Sequence, residues 1–179
     1  MNISMIMNMS INYVIKELSE NDIDDYRNIR LDLLLNESES FGSSYEEESL
    51  FGDEMWISRL AKNNVHTIGA YLDKEIIGII VLVLNVRRKM KHIANINSMY
   101  VKPLYRNKGL AFDLLNFAEN IALSKGVERL NLSVVESNLI AFNLYKKCGF
   151  KEYGIEPDTI KIDDKYFSLR LMSKVIKKG

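Results

Sequence analysis

Met99-Tyr100-Val101-Lys102-Pro103-Leu104-Tyr105-Arg106-Asn107-Lys108-Gly109-Leu110-Ala111 is the stretch from which this chain is best read. A β-rich run, His92 to Val101, leads into Pro103, which cannot donate to a strand ladder and stops it. A short basic turn follows. The apolar positions Leu110, Ala111, Leu114, Leu115, Ala118, Ile121 and Ala122 then recur at helical spacing as far as Ser124, where Lys125-Gly126 supplies a cationic last turn and a glycine stop. The spacing predicts strand, turn and helix, with the helix opening at Gly109. The first amides of a helix have no intrahelical partner and lie at the positive end of its dipole. A phosphate or pyrophosphate suits that position, and a glycine lets the backbone approach it closely. Arg106 and Lys108 add charge. Taken alone, such a turn fits a solvated loop as well as a bound anion. It is not a Walker loop, since no Gly-Lys-Ser/Thr follows, and it lacks the three glycines of a dinucleotide fingerprint.

Outward from this stretch the chain alternates helical and strand texture. Strands are expected at Asn12 to Glu17, Val65 to Leu72, Ile76 to Val86, His92 to Val101, Arg129 to Val135, from Phe150, and in a closing hairpin around Asp163-Asp164. Helices are expected from Ile23 to Leu34, Asp53 to Lys62, Gly109 to Ser124 and Leu139 to Lys147. Ser38 to Asp53 is acidic and punctuated by Gly42 and Gly52, a loop or broken helix. No repeat or Pro/Gly/Ser-rich linker divides the chain. It reads as an N-terminal extension, residues 1–11, and one α/β domain, residues 12–179: a mixed sheet of about seven strands flanked by about four helices, locally parallel at its strand–helix–strand centre.

Composition excludes several classes. The 179 residues carry 24 basic and 24 acidic side chains, so the chain is no polycation built to coat nucleic acid or an anionic membrane. Its single cysteine, Cys148, forms no internal disulfide, and His66 and His92 are too far apart in sequence to read as a ligand pair, so no metal site is expected. The longest apolar run, Ile76 to Leu84, is short of the about 20 residues that a spanning helix needs. Residues 1–11 lack a basic region and a small-residue cleavage site, and a soluble protein of the cytoplasm is the expectation. The basic run Arg87 to His92 lies on a predicted hairpin without interleaved aromatics, which gives nucleic-acid binding little support.

Arg106-Asn107-Lys108-Gly109-Leu110-Ala111 fits the Arg/Gln-x-x-Gly-x-Gly/Ala signature of the GNAT superfamily of N-acetyltransferases. A second set follows: Val135-Glu136-Ser137-Asn138, Ala141, Leu144-Tyr145 and Cys148-Gly149-Phe150. The chain resembles this family from the Asn12 strand to the Met172 strand. The resemblance implies acetyl-CoA as co-substrate, no metal, and direct attack of a primary amine on the thioester. Carried over by position, the backbone of Met99 and Val101 would pair with the pantetheine arm, and the amides of Arg106, Asn107, Lys108, Gly109, Leu110 and Ala111 would hold the pyrophosphate. Asn138 matches the asparagine that contacts the cofactor, and Tyr145 the tyrosine beside the sulfur. An amine attacking a thioester builds negative charge on the carbonyl oxygen, which a fixed amide such as that of Met99 would face. The departing thiolate gains from a proton, which a tyrosine hydroxyl supplies.

The general base stays unassigned: Asn95, Asn97 and Ser98 are poor bases, and Glu47, Glu54, Glu136 and His92 are the other candidates. Glu37, Glu39, Glu46, Glu47, Glu48, Asp53 and Glu54 crowd the segment that borders the acceptor cleft in this family. Such a field would attract a cationic acceptor, a polyamine, an aminoglycoside or a basic peptide, although a merely solvated loop explains the charges equally well. The acceptor is a small-molecule or peptide amine, and the exposed edge of the last strand leaves monomer and homodimer both open. The competing reading is a module that binds an acyl-CoA or a partner protein without turnover.

Overall fold

The computed structural model describes residues 12–177; the expected extension over residues 1–11 lies outside them. The elements run β1 (Val14–Glu17), α1 (Ile23–Asn36), α2 (Tyr45–Glu48), α3 (Asp53–Leu60), β2 (Val65–Leu72), β3 (Glu75–Leu84), β4 (Ile93–Val101), α4 (Leu110–Ser124), β5 (Arg129–Val135), α5 (Leu139–Lys147), β6 (Lys151–Ile162) and β7 (Lys165–Val175). Among the described residues one mixed sheet has the order β1-β2-β3-β4-β5-β7-β6, with β4 and β5 its one parallel pair; the last strand, β7, lies between β5 and β6 and so lacks the exposed edge expected of it. Among the described residues there are five α-helices rather than about four, because the acidic segment closes a single turn at Tyr45–Glu48, where Ser44 accepts the Glu47 amide.

The sheet buries both faces. α4 and α5 cover one face over Ile68, Ile80, Leu82, Ile96 and Val101; α1 and α3 cover the other over Ile76, Ile79 and Tyr100. In a regular strand residues five apart point to opposite faces. Ile96 and Val101 nevertheless share the α4 core, while Tyr100 lies in the other. The register shows why: Val81 pairs with Asn97 but Ile79 pairs with Tyr100, so β4 carries an extra residue at Ser98–Met99, and Ser98 sits at φ 51°.

Opposite this bulge the acidic segment is locked to the sheet. Arg30 of α1 donates from Nε and Nη2 to both oxygens of Glu48 (3.0 and 2.8 Å), and Arg59 of α3 donates to the same oxygens (2.8 and 3.2 Å). Glu48 is 2% exposed. Burial alone would raise its pKa, but the hydrogen bonds and charges of the two guanidinium groups outweigh burial and hold it at about 2, against an ordinary 4.5.

A carboxylate whose folded pKa is depressed contributes stability that is fully present above its unfolded pKa and is lost as pH falls through the folded one, here from about 4.5 towards 2, on the order of 3 kcal/mol in all. Glu48→Gln should therefore lower stability at pH 7 by about 3 kcal/mol and flatten the acid limb of the stability curve, as read by denaturant unfolding at a series of pH values. An acid limb as steep as that of the unaltered protein would show that Glu48 is not its source.

Candidate functional site

β4 and β5 pair only over Ile93–Asn95 and Arg129–Asn131, and beyond them the two strands part. The fork opens a cavity of about 460 Å³ whose walls include Asn97, Ser98 and Met99 of β4, Ser133 to Val135 of β5, and Asn138 and Tyr145 of α5. Antiparallel neighbours turn alternate peptide groups to opposite sides. The Lys102 amide donates to the Ile77 carbonyl of β3 at 3.0 Å, so Val101 turns its own away from β3, towards the fork, while Met99, in the bulge where strict alternation lapses, lines the cavity.

The turn after β4 is a concave row of amides. Asn107 (φ 60°) and Gly109 (φ 85°) both adopt the left-handed conformation, and a Cβ on Gly109 would meet nothing within 4 Å. Alternating hand of this kind aims successive N–H groups at one point. The first α-helical bond runs from the Asp113 amide to the Gly109 carbonyl, and no side chain caps the helix, so the amides of Leu110, Ala111 and Phe112 have no helix partner. Arg106 departs from expectation. Its amide donates to the Pro103 carbonyl (3.3 Å), Nε donates to the Val101 carbonyl (2.9 Å) and Nη2 to Glu37 (2.7 Å). Lys108 likewise donates back to the Leu104 carbonyl (3.1 Å). The expected side-chain charge is folded onto the turn itself, and the amides of Asn107 to Ala111 are what the turn presents.

α5 sets the remaining groups. Asn138 is its N-cap, with Oδ1 accepting the Ala141 amide at 3.0 Å, which leaves Nδ2 as its free donor. At the other end the Gly149 amide (φ 92°) donates to the Lys146 carbonyl and the Phe150 amide to the Tyr145 carbonyl, a Schellman closure. This closure explains the Cys148-Gly149-Phe150 pattern: it folds Phe150 back edge-on against the Tyr145 ring, centroids 6.0 Å apart. Tyr145 is 6% exposed and lines the cavity, and among the described residues its hydroxyl has no hydrogen-bond partner. Burial, reinforced by the neighbouring Cys148, pushes that hydroxyl well above the ordinary tyrosine value, so it stays protonated.

The fork does not gather the expected carboxylates. Glu47 and Glu54 are exposed on α2 and α3, Glu136 pairs with Arg170 at 3.1 Å, and His92 lies exposed in the turn before β4; none lines the cavity. Of the acidic segment, Glu37, Glu48 and Asp53 are taken by Arg106, the Arg30/Arg59 pair and Arg27 respectively. The segment lends the cavity Ser40 to Ser43 instead. Arg30, Thr159, Ile160 and Leu169 also line it and were not foreseen. A signal existed for Arg30, a charge on the Tyr26, Leu33 and Leu34 stripe that faces the core. Thr159 sits in a register shift between Glu156 and Ile160, beside Pro157 and within β6. Among the described residues there is no group of three or more His, Cys, Asp or Glu placed to hold a metal ion, and no helix is long and apolar enough to cross a membrane.

The fold, a mixed sheet that opens at a parallel junction, is one that other proteins share. The Streptococcus pneumoniae structure described as an acetyltransferase of GNAT family superposes with a TM-score of 0.79, covering 93% of this chain and all of that one at 25% identity. Streptothricin acetyltransferase of Escherichia coli is 37% identical over 93 residues, 52% of this chain and only 51% of its own length. Spermidine N(1)-acetyltransferase of Thermoplasma acidophilum is 30% identical over 125 residues, 69% of this chain and 73% of its own. The model of the acetyltransferase (GNAT) family matches residues 28–150, from α1 through the amide turn and the fork to Phe150. The chain belongs to the GNAT family of acetyltransferases.

Proposed function

We propose that this chain transfers the acetyl group of acetyl-CoA to the primary amine of a small molecule, with the donor held in the fork between β4 and β5. The observation that carries the reading is convergence: Met99, Asn138 and Tyr145 line one cavity between two strands, and the same strand β4 runs on from that cavity through Val101 into the turn whose amides, Asn107 to Ala111, have no helix partner. The donor supplies an activated acetyl group on a thiol leaving group. Everything else falls to the protein. The amide turn holds the pyrophosphate, with Gly109 leaving room for it. The Val101 amide pairs with the pantetheine arm, while its carbonyl is already engaged by Arg106 Nε. Asn138 contributes its Nδ2 donor. The Met99 amide faces the carbonyl oxygen, where charge gathers during attack, and Tyr145 hands its proton towards the sulfur. Among the described residues no carboxylate or imidazole lines the cavity, and the amine loses its proton to water rather than to a side chain.

The acceptor is a small amine with more than one positive charge. Glu39, Glu46 and Glu47 flank the cavity-lining Ser40 to Ser43 in sequence, are exposed, and make no ion pair among the described residues. The names of two relatives, streptothricin and spermidine acetyltransferases, support the same class.

The direct test is thiol release from saturating acetyl-CoA against polyamines, aminoglycosides, amino acids and short peptides. A strong rate with a cationic small molecule is expected; silence across the panel in a protein that acetyl-CoA still stabilises against heat would leave a binder without turnover. Tyr145→Phe should lower kcat about 100-fold while the acetyl-CoA Kd stays within about threefold, and an unaltered kcat with chemistry rate-limiting would remove the proton-donor role. Because burial holds the hydroxyl protonated, no fall in kcat assignable to Tyr145 is expected below pH about 10. A Glu46→Gln/Glu47→Gln variant should raise KM for a cationic acceptor by about three- to tenfold at low ionic strength, and an unaltered KM would leave these carboxylates as solvated charges.

A further inference from the structure

Ser98 stands in the middle of the fork and has no role in the reaction as described. It is the extra residue of β4, and its φ of 51° lies in the left-handed region, which side chains other than glycine, asparagine and aspartate rarely enter. Such a conformation persists where the surroundings over-determine it. Here the surroundings are specific. Ser98 Oγ accepts a hydrogen bond from Arg30 Nη1 at 3.0 Å. Arg30 is itself immobilised, since Nε and Nη2 are both spent on Glu48, which a second arginine, Arg59, holds from the other side. The planar guanidinium fork then has one nitrogen left to offer, and that nitrogen meets the bulge.

The backbone angles of Ser98 set the direction of the peptide group that follows it, and the N–H of that group is the Met99 amide. Among the described residues Arg30 is the one charged side chain that lines the cavity, yet two of its three nitrogens are committed to Glu48. We infer that Arg30 is a positioning residue: by holding Ser98 in its left-handed conformation it aims the Met99 amide into the fork. Three helices thereby bear on one peptide group, through Arg30 of α1, Glu48 of α2 and Arg59 of α3. The kinetic consequence rests on the acetyl-transfer reading; the structural consequence does not.

The experiment compares Ser98→Ala, Ser98→Gly, Arg30→Gln and the double variant Arg30→Gln/Ser98→Gly in full-length protein labelled with ¹⁵N-methionine. Three readouts are taken: the Met99 amide resonance with and without coenzyme A, kcat, and KM for acetyl-CoA. Ser98→Ala and Arg30→Gln should displace the Met99 resonance and lower kcat about tenfold or more, with KM for acetyl-CoA within about threefold. Ser98→Gly should keep both near the unaltered values, because glycine reaches this φ without help, and the double variant should recover most of the kcat lost in Arg30→Gln. A Met99 resonance and kcat untouched in Ser98→Ala, or a double variant as impaired as Arg30→Gln, would overturn the inference and leave Arg30 as a tie between helices. Should Arg30→Gln fail to fold, the contrast between Ser98→Ala and Ser98→Gly decides alone. Absent turnover with every amine, together with a Met99 resonance that still moves in Ser98→Ala, would sink the acetyl-transfer reading and sustain the positioning one.

Discussion

Nine residues of β4 must serve two hydrophobic cores and one cleft, and a strand of period two cannot do this without a slip in phase. Ile96 and Val101 belong under α4, Tyr100 belongs under α1, and the extra residue at Ser98 reconciles them. The same slip coincides with the parting of β4 from β5 after Asn95 and Asn131. Bulges bend the strand that bears them and sharpen its twist, and a strand bent away from its parallel neighbour leaves peptide groups unpaired. Unpaired peptide groups inside a sheet are costly unless something completes the ladder. The fork is thus both a geometric consequence of packing two cores and the place where a ligand is most favoured.

The electrostatics follow a similar economy. The chain carries no net charge, and four of its arginines are engaged close to home: Arg27 on Asp53, Arg30 and Arg59 on Glu48, Arg106 on Glu37 and on the Val101 carbonyl. What the turn after β4 offers an anion is therefore backbone, an uncapped helix start with two left-handed residues before it. Backbone donors in fixed geometry hold a pyrophosphate without the entropy that a flexible lysine or arginine would lose on binding. The cavity mixes serine, threonine and asparagine side chains with apolar ones such as Phe41, Val135 and Leu169, and the exposed carboxylates Glu39, Glu46 and Glu47 stand outside it.

Much of this was legible in one dimension because the deciding features are local. A proline after a β-rich run, a glycine before an apolar helical face, and a glycine after Cys148 each act on the residues beside them, and strand, helix and Schellman closure fall where those residues put them. Asn138 and Tyr145 were readable together, since one opens α5 and the other lies two turns along it. Less legible were features made by distant partners. Glu48 looked like one carboxylate among seven, and only the meeting of α1, α2 and α3 makes it a buried anchor at 2% exposure. Arg106 looked like a free cation because nothing near it in sequence shows that Glu37 lies across from it. The bulge at Ser98 was invisible, because which core each side of β4 faces is settled by helices that are remote in sequence.

The account stands on where the donor lies. Amide hydrogen exchange with and without acetyl-CoA tests this most directly, since it needs neither an acceptor nor turnover. Protection concentrated in Met99 to Ala111, with a second patch at Asn138 to Tyr145, is the expected result. Protection confined to a second opening, around Asp25 and Asp73 to Glu75, or no change in the amide turn at saturating ligand, would contradict it.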